Sequence, residues 1–133
     1  MCTLDRKLLR QILLHLGAAV WFAFFGAVYE HFSHEVYSYW MIYAFAFPLV
    51  LGALPYTVCM MKSYFPGERV IHLWNAAVLT WAVGSVFKGV LDIYGTTNSL
   101  LTVYPVAGGL LAAAALAILA FRKSPASPPV SAE

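Results

Sequence analysis

The chain has 133 residues, of which 62% are hydrophobic and only 11% are charged, and its mean hydropathy is +0.75. Too few polar residues are present to cover a soluble globule, so the composition excludes a soluble domain and indicates an integral membrane protein. The formal net charge of +2 comes without a dense basic patch interleaved with aromatic residues, so nucleic acid is not an expected partner.

Four long apolar segments predict helices that cross a bilayer, because about 20 apolar residues span the hydrocarbon region. The segments lack the period-2 alternation of barrel strands, so we expect an all-α, four-transmembrane-helix bundle in one membrane domain. The predicted helices are about 8–30, 36–61, 69–94 and 99–121, within a domain that covers residues 1–121. Residues 122–133, rich in Pro, Ser and Ala, are expected to form a disordered cytoplasmic tail.

The basic residues lie almost entirely on one side of the predicted bundle. Seven of the eight lie before helix 1, around the loop between helices 2 and 3, or after helix 4: Arg6, Lys7, Arg10, Lys62, Arg69, Arg122 and Lys123. The positive-inside rule therefore predicts a multi-pass protein of the inner or plasma membrane with both termini in the cytoplasm.

The two halves of the chain resemble each other. His15 and Gly26 in the first half correspond to His72 and Gly84 in the second, and an aromatic-Pro-x-x-x-Gly signature follows in each, at Phe47–Gly52 and Tyr104–Gly109. This pattern predicts two tandem-duplicated hairpins, about 8–61 and 69–121, related by a pseudo-two-fold axis along the membrane normal. The alternative is a chance similarity, since Ala, Val and Gly are frequent in membrane helices.

The repeat carries two expectations about helix shape. Pro48 and Pro105 are equivalent positions, and proline removes a backbone donor, so we expect matching bends that open a space between the outer halves of the hairpins. The second copy is one residue longer, which predicts a π-bulge near Trp74 or Asn75.

Two helices carry stripes of small residues, which allow close helix packing. The stripe on helix 1 contains His15, Ala19, Ala23, Gly26 and Glu30, and the stripe on helix 4 contains Gly109, Ala113 and Ala117. We expect one stripe to serve the bundle and the other a homo-oligomer. The alternative is that both stripes pack inside one bundle.

Lys88 is the one cation placed well inside a predicted span, and ionisable residues there mark functional sites by default. Asp92 lies one turn away from Lys88, and Glu30 is the repeat equivalent of Lys88. These groups predict an outer-side polar cluster, with His34 beside it, along a substrate or ion pathway. The alternative is a structural ion pair that fixes the register of the hairpins.

Aromatic residues near the outer end of helix 2 predict an apolar cavity for a small lipophilic or cationic ligand, with Glu30 or Lys88 at its mouth: Tyr37, Tyr39, Trp40 and Tyr43. No metal is assigned, because the nearest ligand set, His31, His34 and Glu35, does not have the zincin spacing.

Transport is the expected function: a small multi-pass transporter or channel, with proton coupling through Glu30 as a further expectation. No cofactor is required for this function. The first alternative is a bis-histidine haem-binding membrane protein that uses His15 and His72, which the repeat places at comparable depth. The second is a non-catalytic membrane assembly subunit. No nucleophilic triad, phosphate loop or carboxylate pair predicts an enzyme.

The segment Arg69-Val70-Ile71-His72 is similar to part of the helix motif of the proteobacterial antimicrobial compound efflux family. The resemblance stops there. Ala77 stands where the acidic residue of that motif is expected, and helix 2 lacks the Trp-Asn pattern, so the sequence does not establish membership of that family.

Overall fold

A computed structural model describes residues 3–121, which form helices and no strand. Four helices are long and apolar enough to cross a membrane. Helix 1 is Thr3–Phe32, helix 2 is Tyr39–Met61, helix 3 is Glu68–Tyr94 and helix 4 is Ser99–Phe121. The prediction of four such helices is confirmed, although helix 1 begins earlier and helix 2 later than expected. The predicted tail, residues 122–133, lies outside the described residues.

Large apolar side chains cover the outside of the molecule. Trp21, Phe24 and Leu110, for example, are each more than 60% exposed. Soluble monomers rarely expose wide apolar surface, whereas side chains that face lipid gain nothing from being buried. The outer surface is therefore the surface expected of a chain that sits in a bilayer.

The four helices pack in a row rather than in a closed ring. Helix 1 packs on helix 2, helix 2 packs on helix 3, and helix 3 packs on helix 4. Within the described residues, helix 4 has no comparable packing against helix 1 or helix 2. The two hairpins are thus joined mainly through helices 2 and 3, with side-chain contacts from helix 1 to helix 3 near the basic residues, and one face of helix 4 is left open.

Met41, at the start of helix 2, is held between two glycines and is 1% exposed. A Cβ atom added to Gly26 of helix 1 would lie 3.2 Å from the Met41 carbonyl oxygen, and one added to Gly89 of helix 3 would lie 2.6 Å from Met41 Cβ. Small residues at these two points let three helices approach closely at this level.

Helix 2 is irregular because two prolines interrupt its hydrogen bonds. After a short α-helical segment at Tyr39–Ile42, the chain forms a π-helix at Phe47–Ala53 and returns to α-helix at Leu54–Met61. Pro55 has no N–H to offer the Leu51 carbonyl, and Trp74 of helix 3 donates its indole N–H to that oxygen at 2.6 Å. A side chain thus replaces the missing backbone donor, as the membrane interior requires.

Two expectations about helix shape are wrong. Helix 3 is α-helical throughout, so no π-bulge lies near Trp74 or Asn75. The two equivalent prolines also lack matching local structure. Pro105 lies in the first turn of the α-helical segment Val103–Phe121, whereas Pro48 is the second residue of the π-helix in helix 2.

The positions that the repeat makes equivalent have different surroundings. His15 is 4% exposed, whereas His72 is exposed. Gly52 packs on the His15 ring, whereas a Cβ atom on Gly109 would meet nothing within 4 Å. Two helical hairpins are present, and the duplication stays a prediction from the sequence.

The two small-residue stripes face different ways. His15, Ala19 and Gly26 of helix 1 are buried, as the bundle-packing prediction requires, while Ala23 is exposed. Helix 4 instead packs on helix 3 through the adjacent stripe Gly108, Ala112 and Ala115, which is buried. Ala113 and Ala117 are exposed beside the open Gly109, so the homo-oligomer that this face predicts stays a prediction.

Gly52 and Gly109 make a matched pair for testing this packing. In Gly52→Ala the new Cβ atom would lie 1.9 Å from His15 Cδ2, and the His15 ring is held by a hydrogen bond to the Gln11 carbonyl. We expect a loss of about 1–3 kcal/mol in the free energy of unfolding, measured in detergent by circular dichroism. Gly109→Ala should change stability by less than about 1 kcal/mol. Equal effects would contradict the packing.

Candidate functional site: an aromatic cleft beside a lysine

The helices run between two ends of the bundle that differ in charge. The basic end carries Lys7, Arg10, Lys62 and Arg69, and the hairpin end carries the loops at residues 33–38 and 95–98. Each end has a cleft whose lining includes charged side chains. The cleft at the hairpin end contains Lys88, the lysine that the sequence places inside a span.

This aromatic cleft has a volume of about 320 Å³ and lies between helices 2, 3 and 4. Its apolar walls include four aromatic side chains, Trp40, Phe47, Trp81 and Tyr104. The polar groups in its lining belong to Ser85, Lys88, Thr97, Asn98 and Thr102. An apolar cavity with a few polar groups on one side is the usual form of a small-molecule site.

Helix 4 fixes the aromatic wall through close contacts with helix 3. The Trp81 indole N–H donates to the Pro105 carbonyl at 3.2 Å, and Gly108 leaves the room that the indole ring occupies. Gly84 similarly packs on Tyr104, since an added Cβ atom would lie 2.5 Å from Tyr104 Cβ. The wall is therefore set by backbone positions on both helices.

Lys88 forms an ion pair within helix 3. Its Nζ atom lies 2.7 Å from Asp92 Oδ1, and the side chains are 36% and 30% exposed. The other Asp92 oxygen, Oδ2, accepts a hydrogen bond from the Ser38 hydroxyl at 3.2 Å. Ser85, one turn before Lys88, donates to the Trp40 carbonyl. These two serine bonds attach the start of helix 2 to helix 3.

Glu30 does not join this ion pair, although the sequence predicts a cluster of Glu30, Lys88 and Asp92. Lys88 and Asp92 are four residues apart on one helix, so they pair without drawing another helix closer. Glu30 is partly buried, and its Oε1 atom is buried with no hydrogen-bond partner in the described part of the chain. An unpartnered buried carboxylate oxygen is rare and calls for a reason.

His34 also lies apart from the Lys88 pair. It is exposed, has a φ angle of +53°, and lines a separate cleft with Phe25, Tyr29 and Tyr94. The left-handed backbone at His34 and Glu35 makes the tight turn between helices 1 and 2. Its position is therefore explained by the loop and not by symmetry with Asp92.

The predicted aromatic cavity on helix 2 divides into two grooves on either side of Trp40. Trp40 lines the aromatic cleft and also a neighbouring groove of about 520 Å³, which Tyr39 and Tyr43 share. Tyr37 is 65% exposed and lines neither. Sequence reasoning missed Trp81 and Tyr104, although a helical stripe on helix 3 was available as a signal: Trp81, Ser85, Lys88 and Asp92.

A second polar cluster connects helices 1, 2 and 3 near the basic end. The Tyr56 hydroxyl donates to Asn75 Oδ1 at 2.6 Å, and Asn75 Nδ2 donates to Gln11 Oε1 at 2.8 Å. His15 Nδ1 donates to the Gln11 carbonyl at 2.9 Å, and its ring lies 5.4 Å from the Tyr56 ring, centroid to centroid. The buried polar groups on three helices thus satisfy one another.

The two candidate haem ligands occupy different surroundings. His15 lies under Gly52 in the polar cluster, whereas His72 lines the cleft at the basic end. No hydrogen bond or ring contact joins the two imidazoles within residues 3–121. The haem hypothesis stays a prediction from the sequence.

The candidate metal ligands of the first loop, His31, His34 and Glu35, are all exposed. Within residues 3–121, no three His, Cys, Asp or Glu side chains form a group suited to a metal ion.

No protein-family model, curated protein or solved structure matches the chain. The aromatic cleft and its ion pair therefore have to be interpreted from their own chemistry.

The Lys88–Asp92 pair can be tested by a double-mutant cycle. Lys88→Met or Asp92→Leu alone leaves one charge unpaired in an apolar span, so each should reduce the free energy of unfolding by roughly 1–2 kcal/mol. The double variant should lose less than the sum of the two single losses. Unfolding in detergent measures all four proteins, and strictly additive losses would mean that the ion pair contributes nothing.

Proposed function

We propose that the chain is a small multi-pass membrane transporter whose substrate site is the aromatic cleft. The proposal rests on one observation: four aromatic side chains and the Lys88 ammonium line the same cleft of about 320 Å³. Charged groups within membrane spans are costly, and they are retained chiefly where they contact ions, substrates or water.

The irregular backbone of helix 2 supports transport over a purely structural role. The π-helix at Phe47–Ala53 occupies the middle of the Tyr39–Met61 span. Phe47, at its start, lines the aromatic cleft, and Gly52, near its end, contacts His15 of the polar cluster. Transporters commonly build their substrate sites around interrupted helices near the middle of the bilayer, and π-helical turns are frequent at functional sites.

The lining of the cleft favours an aromatic or lipophilic substrate that carries a negative charge, in place of the cationic ligand expected from the sequence. The aromatic walls accept an apolar body, and Lys88 is the charged residue in the lining. Asp92 is occupied by Lys88 and by the Ser38 hydroxyl. An anionic group that approaches Lys88 would gain a charge-assisted hydrogen bond in exchange for part of the ion pair.

Glu30 is the proposed site of coupling to protons or cations. Its buried Oε1 atom has no donor in the described residues, so a proton or a cation would supply the missing partner. The Lys88–Asp92 pair leaves Glu30 free for this role.

The topology of the proposal follows the distribution of basic residues. We expect the protein in the inner or plasma membrane with both termini in the cytoplasm, which places the aromatic cleft on the outer side. A homo-oligomer through the open face of helix 4, at Gly109, Ala113 and Ala117, would enclose a pathway that a row of four helices leaves open.

Two neighbouring threonines of the 95–98 loop provide a matched test of the cleft. Thr97 lines the cleft and Thr96 does not, and both are exposed. Thr97→Trp should fill the cleft and weaken binding of naphthalene-1-sulfonate at least about tenfold, whereas Thr96→Trp should leave it nearly unchanged. Calorimetry in lipid nanodiscs measures the binding, and uptake of the same probe into proteoliposomes should follow the same order.

A cationic probe of similar shape, (1-naphthylmethyl)trimethylammonium, tests the role of Lys88. We expect it to bind more weakly than the sulfonate. No saturable binding of either probe, or equal losses in both threonine variants, would contradict a substrate site in this cleft. Binding without uptake would contradict transport.

Glu30→Gln tests the coupling while keeping the size of the side chain. We expect sulfonate uptake driven by a pH gradient to be lost, because the amide cannot bind and release a proton. Exchange of labelled for unlabelled probe without a gradient should continue. Glu35→Gln, in the exposed turn beside it, is the control and should retain both activities. If exchange is lost together with gradient-driven uptake, Glu30 has a structural role and the coupling proposal is wrong.

A further inference from the structure

The cleft at the basic end is a second site with different chemistry. It has a volume of about 240 Å³ and lies between the start of helix 1 and the start of helix 3. Its lining consists of Lys7, Arg10, Gln11, Phe65, Glu68, Ile71 and His72. The proposed transport function uses none of these residues.

The charges around this cleft leave it positive. Lys7 Nζ and Glu68 Oε1 form an ion pair at 2.7 Å, so these two charges offset each other. Arg10 is exposed and has neither a hydrogen bond nor an ion-pair partner within residues 3–121. One uncompensated guanidinium therefore remains, and guanidinium groups bind phosphate in a two-bond geometry.

Two groups in the cleft offer N–H donors that have no acceptor in residues 3–121. Gln11 Oε1 already accepts from Asn75, which leaves the Gln11 amide nitrogen without an acceptor in that range. This nitrogen and the Arg10 guanidinium lie beside the Glu68 carboxylate, whose charge Lys7 offsets, and beside His72. The two donors match the oxygen atoms of a phosphate group.

The cleft also lies where the apolar spans of helices 1 and 3 begin, which is the level expected for lipid headgroups. The apolar spans begin at Asp5 and at Glu68, so the lining residues of helices 1 and 3 occupy the first two turns of their spans or lie close to them. Phe65 adds an apolar surface beside the cleft, and Lys7 Nζ lies 5.8 Å from the centre of its ring. Basic pockets between membrane helices at this depth are typical binding sites for anionic lipid headgroups.

We propose that the basic-end cleft binds the phosphate of an anionic phospholipid headgroup, with Arg10 as the principal contact and the Gln11 amide as a second donor. Exposed apolar side chains follow Arg10 by one turn of helix 1, at Leu13 and Leu14, and they favour a lipid over free phosphate because acyl chains cover such a surface in a bilayer.

Arg10→Gln and Arg6→Gln are matched variants for the test. Each removes one exposed arginine from the start of helix 1, and only Arg10 lines the cleft. Delipidated protein in detergent is titrated with phosphatidylglycerol, with phosphatidylcholine and with inorganic phosphate, and bound lipid is counted by native mass spectrometry. Circular dichroism confirms that both variants keep their helices.

We expect phosphatidylglycerol to bind more tightly than phosphatidylcholine, and Arg10→Gln to weaken its binding about tenfold. Arg6→Gln should have a much smaller effect. Equal losses in the two variants would show diffuse attraction to the basic end and would overturn the site. Binding of inorganic phosphate that displaces the lipid would overturn the lipid as ligand. The outcome is independent of the aromatic cleft, so transport of the sulfonate probe neither supports nor removes this site.

Discussion

The structure depends on one constraint, the need to satisfy the backbone of helix 2 without water. Prolines at positions 48 and 55 remove two donors in the middle of a span. Helix 3 supplies side-chain donors: the Trp74 indole donates to the Leu51 carbonyl, which Pro55 leaves without its backbone donor, and the Ser85 hydroxyl donates to the Trp40 carbonyl near the start of helix 2. Helix 3 also contacts helix 4, where the Trp81 indole donates a hydrogen bond to the Pro105 carbonyl. Helix 3 is therefore the scaffold on which its two neighbours are positioned.

The aromatic cleft follows from this arrangement. The side chains that hold the neighbouring helices and the side chains that line the cleft come from one stripe of helix 3, which contains Trp81, Ser85 and Lys88. Hydrogen bonding and the proposed ligand contacts therefore come from one continuous α-helix, while the irregular helix 2 forms the opposite wall. A site with one fixed wall and one wall of interrupted helix suits a ligand that must both bind and leave.

The sequence was sufficient for features that depend on local spacing. Apolar length predicted the four helices, and the four-residue separation predicted the Lys88–Asp92 pair. It failed where the outcome depends on a third group. Within the π-helix of helix 2, the Leu51 carbonyl accepts a hydrogen bond from the Trp74 indole, and no periodicity in helix 3 signals this contact. Symmetry likewise suggested Glu30 as a partner for Lys88, whereas a carboxylate one turn away on the same helix was closer.

The row of helices has a consequence for how the chain is made. Each helix packs mainly on the one synthesised just before it, and the Gln11–Asn75 and Lys7–Glu68 contacts add a link from helix 3 back to helix 1. The polar contacts among the first three helices can therefore form before the fourth leaves the ribosome. We expect helix 4 to dock last, mainly on helix 3, where the Trp81 indole then meets the Pro105 carbonyl.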